Sequence, residues 1–167
     1  MKRSIGWIAG ALVLGGCTTA GQQAGQPTSS TAPPEIQTVT YATTPCHGFC
    51  PVYTVTVAAD GTGMFTGTSN TAVVGERAFK ATPAQVAGFF DQLRPYLPVG
   101  ELLLSGPNEC KTYASDLPSA DVRWTGGTGS GHLLFDFGCA RDQHVALADA
   151  LRAAPQALPI TDLIGKR

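Results

Sequence analysis

Charged side chains are scarce in this sequence of 167 residues: Asp, Glu, Lys and Arg make up 14% of it, against roughly 25% in ordinary soluble domains. There is no basic excess either, because 11 Lys and Arg stand against 12 Asp and Glu. That balance argues against nucleic acid as a partner, since affinity for a phosphate backbone comes largely from clustered cations. No apolar stretch reaches the roughly 18 residues that a helix needs to span a bilayer, so an integral helical membrane protein is excluded. Several catalytic signatures are missing too. Neither C-x-x-C nor C-x-x-C-H occurs, which removes the usual redox-dithiol and covalent-haem motifs. G-x-S-x-G is absent, and with it the nucleophile elbow of the serine hydrolases.

What is present first is an address. Lys2 and Arg3 precede a short apolar stretch from Ile5 to Leu14 that ends in Gly15-Gly16-Cys17. The run has the length of a signal-peptide core, and its ending resembles a bacterial lipobox. The resemblance implies that residues 1–16 are removed and that Cys17 becomes a diacylglycerol-bearing first residue. At about 0.8 kcal/mol per buried methylene, two or three acyl chains would hold the chain to a bilayer almost irreversibly. Thr18 stands where the inner-membrane retention signal has Asp, which by the same analogy favours the outer membrane, facing the periplasm. Residues 18–35 contain no large apolar side chain; such a segment cannot offset its own chain entropy and is expected to be a tether. Losing Lys2 and Arg3 would take the formal charge from −1 to −3.

Of the five cysteines, Cys46, Cys50, Cys110 and Cys139 would remain within the folded part. An even number in an exported chain points to disulfides, because the periplasm is oxidising, and four cysteines allow three connectivities. A Cys46–Cys50 bond would leave Cys110 and Cys139 to each other.

The expected domain is 36–167. Ile36 to Tyr41 reads as a strand, and Val52 to Ala58 alternates Tyr53, Val55 and Val57 with Thr54 and Thr56, the period of a half-buried strand. Asp60-Gly61 predicts a turn into a hairpin partner from Gly63 to Thr68, and Ala72 to Lys80 can supply another strand. Thr82, Pro83 and Gln85 form a helix start with a capping box. Val86, Phe89, Phe90 and Leu93 follow as an apolar stripe, and Pro95 ends that helix. In the second half Leu102 to Leu104, Asp121 to Trp124 and His132 to Phe137 suggest strands, with a loop over Gly126 to Gly131. Phe135 and Phe137 fall at core positions. Arg141 to Ala153 suggests a helix with Val145, Ala148 and Leu151 inward. Hairpins followed by helices predict an α+β fold: an antiparallel sheet of hairpins with two helices packed on one face, disulfide-bonded.

The segment Cys46-His47-Gly48-Phe49-Cys50-Pro51-Val52-Tyr53 resembles the C-x-G-x-C-P-x-Y opening of an uncharacterised bacterial family catalogued as domain of unknown function 6438, often found on lipoproteins. Ser115-Asp116-Leu117-Pro118-Ser119 is similar to that family's second landmark. The resemblance spans about residues 36–160 and carries over no catalytic residue.

Three readings compete at Cys46 and Cys50. A redox dithiol conflicts with the C-x-x-x-C spacing and with the strand that follows where a helix should start. A copper or zinc site could combine Cys46, His47 and Cys50 with His132 or His144 as a distant ligand, since thiolate and imidazole suit those metals. Copper-delivery proteins of the Sco type also carry C-x-x-x-C-P, on a thioredoxin fold this chain does not resemble. A structural disulfide clamping a five-residue loop is the reading we favour, at about 2 kcal/mol.

The glycine run from Gly126 to Gly131 lacks the Lys-Ser/Thr and the following helix that phosphate binding requires. Ser130, His132 and Asp136 have triad residue types without triad context. Glu109, Asp116, Asp121 and Asp136 are scattered carboxylates, and a glycosidase pair is a three-dimensional fact. The sequence therefore predicts a non-enzymatic binding or structural envelope module with no cofactor. Its partners would be the membrane through its lipid and an envelope protein or glycan. The alternatives are a metal or thiol-redox protein and a hydrolase inhibitor.

Overall fold

The computed structural model describes residues 35–127, 129–139 and 141–165. The expected signal peptide, Cys17 and the expected tether up to Pro34 lie outside the described residues.

Alternating burial builds the first strands as the period predicts. β1 (Ile36–Thr43), β2 (Val52–Ala58), β3 (Thr62–Ser69) and β4 (Gly75–Lys80) form an antiparallel meander. The β2–β3 turn is held by Asp60, whose carboxylate accepts the Thr62 amide at 2.8 Å and its hydroxyl at 3.0 Å. The Thr62 amide, then its hydroxyl, then Lys80 hold the Asp60 carboxyl below its ordinary range. That contribution to stability exists above the unfolded carboxyl range and is lost as pH falls through the lowered one.

Helix α1 (Pro83–Leu93) starts as expected: Thr82 Oγ1 accepts the Gln85 amide at 3.3 Å while Gln85 Oε1 accepts the Thr82 amide at 2.9 Å. Its stripe of Val86, Phe89, Phe90 and Leu93 is buried. Then come β5 (Gly100–Leu104), the short α2 (Gly106–Glu109), β6 (Ser119–Gly126), β7 (Gly129–Asp136), α3 (Arg141–Ala153) and α4 (Thr161–Ile164).

Among the described residues, seven strands make one sheet in the order β4-β3-β2-β1-β6-β7-β5. It is mixed, which corrects the expectation of a purely antiparallel sheet: β5 runs parallel to β7. The reason is the connection. Hairpins can only reverse the chain, whereas the α1 crossover carries it from the β4 edge to the opposite edge, where β5 arrives alongside β7 in the same direction. Four α-helices, two of them a single turn long, accompany the sheet among the described residues where two were expected.

One sheet face carries Val39, Tyr41, Tyr53, Val55, Val57, Phe65, Val122, Trp124, Leu133 and Phe135, all buried together with α1 and with Leu147, Ala148 and Leu151 of α3. The other face carries Thr40 and Thr56, paired through their hydroxyls at 3.1 Å, with Arg123 and His132 in the same row.

Three local expectations also change. The chain at Ala72 and Val73 bonds the carbonyls of Ile164 and Leu163 rather than a strand, so β4 begins only at Gly75. His144 departs from helical geometry (φ −128°) next to Val145, which is exposed, while Ala148 and Leu151 are buried as expected and Leu147 joins them. The glycine run is mostly strand, with Gly126 paired to Gly129. Gly131 sits where a Cβ would collide with the Pro98 carbonyl and the Trp124 indole, and that indole donates to the same carbonyl at 2.7 Å. Gly131→Ala should therefore cost about 1–3 kcal/mol by overpacking, read as a lower urea midpoint with unchanged slope; an unchanged midpoint would show that Pro98 yields freely.

Candidate functional site

At the end of β1 one hydroxyl organises the chain: Thr43 Oγ1 donates to the Pro51 carbonyl at 2.8 Å and accepts the Tyr53 amide at 3.1 Å. The loop between them is closed by a disulfide between Cys46 and Cys50, whose Cα atoms are 5.7 Å apart. Gly48 permits this closure with φ 149°, a conformation side-chain-bearing residues rarely adopt.

The second landmark packs directly onto this loop. The His47 amide donates to the Asp116 carbonyl at 3.1 Å, and the Thr44 amide to the Ser119 carbonyl at 3.1 Å. The Ser119 amide in turn donates to Thr44 Oγ1 at 2.7 Å. On its other side the Pro118 carbonyl accepts the Phe137 amide at 3.0 Å.

A second disulfide joins Cys110 to Cys139, with Cα atoms 5.2 Å apart. The Ala114 amide donates to the Gly138 carbonyl at 3.0 Å. Asp136, buried at 7% exposure, accepts the Gly138 amide at 2.7 Å on Oδ1 and the Tyr113 hydroxyl at 3.0 Å on Oδ2. That bond, with burial and the nearby carboxylate charge behind it, raises the Tyr113 phenol above its ordinary value of 10.0. A raised phenol favours the protonated, folded form, so this contribution is present below the ordinary phenol range and lost as pH climbs through the raised value. In a titration followed by phenolate absorbance, Tyr113 should ionise late, and Tyr113→Phe should shrink the late phase by one tyrosine. A late phase of unchanged size would refute the assignment.

These joined loops border a cavity of about 500 Å³ between the sheet end and the C-terminal helices. Both landmarks contribute to it: Cys50, Pro51 and Tyr53 from the first, Leu117, Pro118 and Ser119 from the second. Tyr41 adds a second ring, 6.3 Å from Tyr53 between centroids, and its hydroxyl donates to the Leu151 carbonyl at 2.9 Å, fixing α3 to the sheet. Phe137 and Arg152 also line the cavity, with the guanidinium carbon 4.5 Å from the Phe137 ring centre. The size suits a small ligand, and an apolar lining with few polar groups is the usual character of such sites.

Other candidate residues are dispersed. With Cys46 and Cys50 bonded to each other, neither sulfur is a thiolate. His47 is exposed beside them. His144 stacks edge-on against Phe135, centroids 5.9 Å apart. His132 lies on the open sheet face between Asp121 (3.0 Å) and Glu101 (3.3 Å). Among the described residues no three His, Cys, Asp or Glu side chains form a metal-sized group. The Ser130, His132 and Asp136 set is not assembled, because His132 bonds Asp121 and Glu101 while Asp136 bonds Tyr113 and Gly138. Glu109 ends α2, and Asp116 accepts from the Ser115 hydroxyl at 3.2 Å.

Sequence reasoning misses the cavity itself. It reads Phe137 as core and gives Tyr41 and Arg152 no role. Pro51 and Tyr53 are legible as the opening of a strand, but nothing in the sequence brings Arg152 to them.

Residues 37–156 match a family described as a domain of unknown function (DUF6438). No curated protein and no solved structure matches the chain.

Proposed function

The chain belongs to the DUF6438 family, a domain of unknown function, and from that premise we propose that it is a lipid-anchored envelope protein whose work is binding, at the cavity between its two landmarks. The observation that carries the reading is convergence. Two motifs far apart in sequence are hydrogen-bonded to each other and line one cavity, with a disulfide closing the loop on one side and another stitching the neighbouring segment. A rigid, pre-formed rim reduces the ordering cost that a ligand must overcome. Two disulfides suit an oxidising compartment, which agrees with export through the leader and lipidation at Cys17. On that reading the molecule faces the periplasm from the outer membrane, with residues 18–35 giving a root-mean-square reach of about 25 Å.

Lipidation is tested in cells of a Gram-negative host. The wild-type chain should partition into detergent and gain the mass of a diacylglycerol at Cys17, and Cys17→Ser should abolish both. A wild-type chain recovered wholly in the aqueous phase, cleaved elsewhere, would remove the anchor from the proposal.

A further inference from the structure

The cavity described above has an uneven charge. Among the described residues that line it, Arg152 is the one side chain that carries a full charge at neutral pH, with no Asp or Glu beside it in the lining. The remaining lining is dominated by Tyr, Phe, Pro, Leu and Ile, with polar contributions from Thr43, Ser119, Gln156 and Thr161. Thr43 is already committed to the β1–β2 connection through Pro51 and Tyr53.

Arg152 is also held ready. Its guanidinium rests on the face of Phe137 at 4.5 Å, a stacking that orients the planar fork while leaving its edge donors available. Among the described residues its one ion-pair contact is to Asp149, a long 3.5 Å approach between side chains 43% and 70% exposed. Such an exposed pair is weak and easily exchanged. A guanidinium with available edge donors recognises a carboxylate in a bidentate, charge-assisted manner.

We infer that the cavity takes a small organic acid: an aromatic or branched apolar body lodged among Tyr41, Tyr53 and Pro118, with its carboxylate on Arg152. This inference rests on the proposed binding role and names its ligand class. A peptide ending in an apolar residue presents the same chemistry, and the probes below separate it from a free acid.

The test uses the full lipidated chain in nanodiscs, with empty nanodiscs as the blank. Equilibrium dialysis compares 4-phenylbutyrate with 4-phenylbutanamide, and N-acetyl-Ala-Phe with its C-terminal amide. Each acid should bind at least about tenfold more tightly than its amide, as expected when a charge-assisted pair is lost. Arg152→Gln should bring the acid down to the level at which the same variant binds the amide, with the variant still folded by circular dichroism. Tighter retention of the peptide acid than of phenylbutyrate would assign the carboxylate to a peptide terminus, still through Arg152. Equal binding of acids and amides, or an acid preference that survives Arg152→Gln, overturns the carboxylate assignment and leaves the cleft as an apolar binding site. If neither acids nor amides bind, the binding role of the cavity falls with it.

Discussion

Replacing Cys110 and Cys139 together by serine should lower the stability of the folded domain by about 3.5 kcal/mol, the chain-entropy value for closing a loop of that length. The two cysteines are 29 positions apart, and the intervening chain includes the irregular stretch around Tyr113, the second landmark and the whole of β6 and β7. For a domain of this size such a loss lowers the thermal midpoint by roughly 10–15 °C and removes a large share of a typical net stability of about 5–15 kcal/mol. Cys46→Ser with Cys50→Ser should cost less, about 2 kcal/mol, because only a five-residue loop is opened. Urea unfolding of both double variants under non-reducing conditions checks the order as well as the size. A larger loss from the short loop would mean that the Cys46–Cys50 bond stabilises chiefly by holding the two landmarks together, and the entropy argument would be refuted.

Asp136 is the second large expected effect. Its carboxylate is buried and accepts from Gly138 and from Tyr113, and the turn it shapes presents Cys139 to Cys110. The Cys139 amide bonds the Asp136 carbonyl at 2.9 Å, closing the same turn from the backbone side. Asp136→Ala removes two charge-assisted acceptors and leaves the Gly138 amide without its partner, a cost of about 3 kcal/mol. Asp136→Asn keeps an acceptor for Gly138 and a polar group for the Tyr113 hydroxyl, so about 1 kcal/mol is expected. Equal losses for Ala and Asn would show that the charge itself matters most, and no loss for Ala would show that water replaces the carboxylate.

The difference between these two sites and the cavity also shows where sequence reasoning stops. Local chemistry is legible: the capping box at Thr82 and Gln85, the alternation of Tyr53, Val55 and Val57, the Asp60-Gly61 turn and the stripe from Val86 to Leu93 all depend on neighbours within a few positions. Periodicity places Val145 inward because it assumes an unbroken helix, and the chain leaves helical geometry at His144, just before it. The glycines from Gly126 to Gly131 suggest an open loop because composition cannot distinguish a loop from strands whose backbones are approached closely by Glu35 and Pro98. Asp136 looks like one scattered carboxylate among several, since its donors Tyr113 and Gly138 come together only when the Cys110 and Cys139 segments meet.

By itself the sequence determined the strands of the meander, the capped helix and the cysteine inventory with its preferred pairing, because each depends on short-range periodicity or on counting. The tertiary structure decided the parallel β5, the joining of the two landmarks and the placing of Arg152 over Phe137 at one cavity. Those features depend on a crossover that carries the chain between sheet edges and on contacts between distant segments, and no local pattern encodes where two such segments will meet.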